Sequence, residues 1–111
     1  MVVVFAFLSL VGCGPNCRDA CEKLYGDADG QCNINVIGAE GDAGANKLIQ
    51  ECQATCDAAM SNTGPVGTYN PDSNADADQT IDNEKQAALW MDCTIEEACP
   101  NLESGYCQPH L

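Results

Sequence analysis

The stretches NCRDACEKLY (residues 16–25) and KLIQECQATCDAAM (residues 47–60) each place two cysteines four positions apart inside a helical apolar pattern. In the first, Cys17, Ala20, Cys21, Leu24 and Tyr25 follow i, i+3, i+4, i+7, i+8 spacing, while Arg18, Asp19, Glu22 and Lys23 take the other face. Asn16 is suited to cap the helix, because its side chain can accept from an orphan amide of the first turn. Asp19 lies near the positive end of the helix dipole, and Gly26 is the natural stop. In the second, the stripe Ala45, Leu48, Ile49, Cys52, Cys56, Ala59, Met60 predicts a helix from about Ala43 to Met60.

Residues four apart stack on one helix face, so each C-x-x-x-C motif presents two sulfurs about 6 Å apart along its axis. If the two helices are antiparallel, the first cysteine of one meets the last of the other. The expected bonds are Cys17 with Cys56 and Cys21 with Cys52. This arrangement resembles the twin C-x-x-x-C helical hairpins of unrelated small proteins, with a longer intervening stretch here. Of the remaining cysteines, Cys32, Cys93, Cys99 and Cys107 can pair in three ways. The sequence hardly separates them; Cys32 with Cys93 and Cys99 with Cys107 is the preferred set.

Around this hairpin the pattern is less regular. Residues 27–44 are rich in Gly, Asn and Asp and predict a loop carrying Cys32. Residues 61–79 contain Pro, Gly and Asp with almost nothing to bury, and predict an exposed acidic linker. A third helix is expected from about Ile81 to Asp92. Thr94 with Glu97 then forms a capping-box pattern for further turns through Ile95, Ala98 and Cys99, ended by Pro100. Residues 101–111 predict an irregular tail held by Cys107. The expected fold is all-α: a disulfide-stapled antiparallel helical hairpin, one or two further short helices and long irregular loops.

Nine cysteines among 111 residues place the chain with disulfide scaffolds, which persist in oxidising compartments. A net charge of −13 with only four Lys and Arg excludes a basic patch for nucleic acid or an anionic membrane surface. Residues 2–11, VVVFAFLSLV, are too short to span a bilayer and match the apolar region of a secretory signal. The run ends in Leu10, Val11, Gly12 and Cys13, which resembles the lipobox of bacterial lipoproteins. That resemblance implies a signal peptide at 1–12, cut after Gly12, and acylation of Cys13 by diacylglycerol and palmitate-like chains. Residues 13–16 would then be the tether and 17–111 the Cys-rich domain. Two or three acyl chains suffice for stable membrane anchoring. Setting Cys13 aside leaves eight cysteines, an even number that can all pair. In the lipoprotein family Gly14, lacking the Asp of inner-membrane retention, implies the outer membrane.

Each other chemistry-bearing group has an ordinary role that outweighs a special one. Asp72, Asn74, Asp76 and Asp78 alternate like a calcium loop, but a register starting at Asp72 puts Ala77 at its sixth place and Asn83 at its twelfth. Asp27, Asp29 and Gly30 form a fragment of such a loop whose end positions are Tyr25 and Val36, so a turn is expected. Zinc sites favour C-x-x-C spacing and often histidine, whereas His110 is the sole histidine. Neither the C-x-x-C motif nor the βαβ setting of thiol oxidoreductases is present. Ser9, Ser61, Ser73 and Ser104 lie in no nucleophile motif. Trp90 is expected at the core centre.

The sequence therefore predicts a non-enzymatic envelope lipoprotein without cofactor, a structural or protein- or glycan-binding module attached to the membrane through its lipid. The alternatives are a calcium-dependent binding module and a secreted effector or hydrolase inhibitor.

Overall fold

The computed structural model describes residues 16–71 and 79–109. Four helices occur there: α1 (Cys17–Tyr25), α2 (Gly41–Met60), α3 (Glu84–Glu96) and α4 (Cys99–Glu103). No strand is present among the described residues.

Helix α1 begins as its sequence requires: Asn16 Oδ1 accepts from the Asp19 amide at 2.8 Å. Cys17, Ala20, Cys21, Leu24 and Tyr25 are buried, forming the expected face. Gly26 ends the helix, but with an ordinary φ of −74°. Space is what demands glycine there. A Cβ would lie 2.7 Å from the Glu22 carbonyl and collide with the Gln31 side chain.

Helix α2 runs antiparallel to α1, locked by Cys17–Cys56 and Cys21–Cys52. Of its apolar stripe, Cys52, Cys56 and Ala59 are buried, Leu48 and Ile49 are half-buried, and Met60 at its end faces solvent. Sulfur thus fills the hairpin interface, where two aliphatic stripes would otherwise be needed.

Helix α3 starts at Glu84, three residues later than the pattern suggested. Asn83 supplies the cap: its Oδ1 accepts from the Lys85 and Gln86 amides, and its Nδ2 donates to the Pro65 carbonyl. The helix then runs without a break through Thr94, which is fully buried within it. The Thr94–Glu97 capping box therefore does not form. Glu97 instead closes α3 and accepts from the Asn101 side chain at 2.8 Å. Pro100 stands in the first turn of α4. A proline lacks only an amide that has no intrahelical partner there, so it starts α4 where it had been expected to end a turn.

The core gathers around Trp90, which is fully buried together with Leu24, Leu102 and the sulfurs of Cys21, Cys52, Cys56 and Cys107. Trp90 Nε1 donates to the Pro109 carbonyl at 2.7 Å, pinning the C-terminal segment across α3. Residues 61–71 are largely solvent-facing, as expected of the linker, yet they are tied down. Tyr69 is buried, the Pro65 and Val66 carbonyls accept from Asn83 and Gln86, and the Pro71 carbonyl accepts from the Cys107 amide.

The last two disulfides correct the preferred pairing: they are Cys32–Cys99 and Cys93–Cys107. Lys23 explains the first. Its backbone carbonyl accepts from the Cys32 amide at 2.7 Å, and its Nζ reaches the carbonyls of residues 94, 95 and 97. Cys32 is thereby brought beside the start of α4, where Cys99 lies. The return of residues 107–109 along Pro71 and Trp90 brings Cys107 to Cys93.

Candidate functional site

The eight cysteines from Cys17 to Cys107 are all consumed in four crosslinks. Cys13 and the preceding Leu10, Val11 and Gly12, the calcium candidates Asp72, Asn74, Asp76 and Asp78, and His110 lie outside the described residues. Asn16, exposed at the head of α1, marks where the chain enters the helical body.

The most distinctive surface belongs to residues 27–40, between α1 and α2. The segment opens with a tight turn in which the Gln31 amide donates to the Ala28 carbonyl, and Gln31 Oε1 accepts from the Ala28 amide. Asp29 and Gly30 are thus the central residues of a turn, with Gly30 at φ 84°, and Asp27 directly precedes it. The Cys32 and Ile34 amides then donate to the Lys23 and Leu24 carbonyls, and the Cys32–Cys99 bond holds the segment to α4. A second turn follows, closed by the Ala39 amide on the Val36 carbonyl at 3.0 Å. Gly38 takes φ 91° at its third position, a conformation that costs other residues energy. Ile37, at the tip, is 99% exposed.

Where the segment leaves α1 and enters α2, a cleft of about 210 Å³ opens between Gly26, Asp27, Asp42, Ala45, Asn46 and Ile49. A second, of about 180 Å³, lies between Thr68, Tyr69, Gln79, Thr80, Asp82 and Gln86. Several of its polar groups are engaged within the fold: Thr80 donates to Asp82, and Gln86 bridges the Asp82 amide and the Val66 carbonyl. Among the described residues, no group of three or more His, Cys, Asp or Glu is placed to hold a metal ion.

The described serine hydroxyls serve the backbone. Ser61 Oγ donates to the Asp57 carbonyl and Ser104 Oγ to the Asn101 carbonyl, each at a helix end. Lys23 is likewise spent on structure, its three carbonyl acceptors being the orphans at the end of α3. Desolvation lowers its pKa, and the nearby Glu97 partly opposes this. No sequence signal announced this contact, because its partners lie about seventy residues away. No helix of the described residues is long and apolar enough to cross a membrane.

No protein-family model matches the chain, and neither curated proteins nor solved structures show a significant match to it.

Proposed function

We propose that this chain is a bacterial envelope lipoprotein, anchored through Cys13, whose helical domain acts by binding a protein or glycan partner. The observation that carries this reading is the cysteine count. The chain has nine, and eight are paired within the helical body. The ninth is the one in the lipobox-like Leu10–Cys13, directly behind an apolar run.

The binding role is supported by loop 27–40, which offers a fully exposed Ile37 on a segment fixed by a disulfide and short-range hydrogen bonds. A contact loop ordered beforehand loses little entropy on association. The acidic surface favours partners that are neutral or basic. Gly14 supports sorting to the outer membrane. The calcium-dependent alternative rests on Asp72, Asn74, Asp76 and Asp78, which lie outside the described residues. The secreted-inhibitor alternative requires a free soluble form.

Metabolic labelling with radioactive fatty acid tests the anchor. Label is expected on the full-length chain expressed in a bacterium, and Cys13→Ser is expected to abolish it and release the protein from membranes. An unlabelled mature protein still carrying residues 1–12 would overturn the reading.

A further inference from the structure

The four disulfides differ in exposure. Cys17, Cys21, Cys52, Cys56, Cys93 and Cys107 are all buried, whereas Cys32 and Cys99 are only partly buried, at both ends of their bond. Thiol–disulfide exchange requires a thiolate to reach a sulfur, so access sets which bond opens first.

The bonds also differ in what depends on them. Without Cys32–Cys99, α1 remains joined to α2 by two crosslinks and to the end of α3 by the three Lys23 hydrogen bonds. Helix α4 keeps its fully buried Leu102, and the segment behind it keeps Cys93–Cys107. Loop 27–40 keeps far less: the Cys32 and Ile34 amide bonds and the half-buried side chains of Ile34 and Val36.

We propose that the Cys32–Cys99 bond is a releasable clasp, whose reduction by a dithiol frees loop 27–40 while the rest of the helical body stays folded. One thiolate of the dithiol attacks Sγ of Cys32 or Cys99, and the other protein sulfur leaves and takes a proton. The second sulfur of the dithiol then displaces the protein sulfur from the mixed disulfide. Two electrons pass, both cysteines end as thiols, and the reductant ends as a cyclic disulfide. In the oxidised state Ile37 is presented on a fixed loop; in the reduced state the loop loses its hold on α4. The clasp is independent of the lipoprotein reading, because it concerns only the helical body.

The experiment treats the native, oxidised protein with graded dithiothreitol, quenches by alkylation and maps the modified cysteines by mass spectrometry. Cys32 and Cys99 are expected to be labelled first, at least ~10-fold faster than the other six, with helical circular dichroism unchanged. The double variant Cys32→Ser, Cys99→Ser is expected to keep its helical spectrum and a cooperative melt. Thermolysin should cut it within residues 33–37 at least ~10-fold faster than the parent. Simultaneous opening of all bonds, earlier opening of another pair, loss of helix in the double variant, or unchanged loop cleavage would each overturn the proposal.

Discussion

Lys23 Nζ donates to the Glu97 carbonyl at 2.8 Å, and to the carbonyls of Thr94 and Ile95 beside it, so the end of α1 caps the end of α3. A cation at a helix C-terminus satisfies orphan carbonyls and meets the negative end of the dipole. Lys23→Met keeps the aliphatic stem and removes the donors. It is expected to cost about 2 kcal/mol, on the scale of hydrogen bonds to charged groups, read from urea midpoints. Lys47→Met, on exposed α2 surface, should change stability by less than about 0.5 kcal/mol.

Thr94 makes the opposite prediction. Its hydroxyl is buried in α3 and has no hydrogen-bond partner among the described residues. Thr94→Val keeps the shape and removes the unsatisfied oxygen, and should stabilise the domain by about 1 kcal/mol. A lower melting temperature for this variant would show that the hydroxyl is satisfied.

Trp90 is the only tryptophan, and it is fully buried. Its fluorescence should be blue-shifted in the native protein and move red on full reduction in denaturant. Trp90→Phe loses the bond to the Pro109 carbonyl and leaves space in the core, with an expected cost of about 2 to 4 kcal/mol.

The hairpin crosslinks predict a larger loss. Removing Cys21–Cys52, whose ends are 31 positions apart in the chain, should cost about 3 to 4 kcal/mol in the chain-entropy model. The Cys21→Ala, Cys52→Ala variant is therefore expected to lose much of a small domain's net stability. An unchanged melting temperature would mean that apolar packing alone holds α1 to α2.

Alkaline pH sets two groups against each other. Burial pushes the Tyr25 phenol up to about 12 from 10.0. Its folded value is raised, so its contribution is full below pH 10 and is lost as pH climbs towards 12. Desolvation holds Lys23 below 10.5 in the folded state. The unfolded chain therefore binds that proton more tightly, and the Lys23 contribution rises with pH up to 10.5. The alkaline fall in melting temperature should come from Tyr25, and Tyr25→Phe should flatten it. In ultraviolet titration the same variant should remove the tyrosine that ionises near pH 12.

Much of the hairpin was legible because its signals are local. Asn16, the Cys17–Tyr25 face and the Cys52–Cys56 rung are set by spacing along one helix, and once the two helices lie antiparallel the four cysteines give both bonds. The capping box at Thr94 misled because the same residues also fit inside a longer helix. Burial of Thr94 against the core outweighed its preference for a cap. The linker sequence offers almost nothing to bury, yet Tyr69 is buried and neighbouring carbonyls are pinned by Asn83 and Gln86.

The first two helices and the all-α class follow from residues three and four apart, where chain geometry leaves little choice, and the two hairpin crosslinks follow once those helices are antiparallel. The partners of Cys32, Cys93, Cys99 and Cys107 depend on contacts between segments far apart in the chain. Lys23 reaches the carbonyls of α3, and Trp90 holds Pro109, and these two contacts bring the right sulfurs together. Their energy exists only once the elements have packed, so no local pattern could announce them.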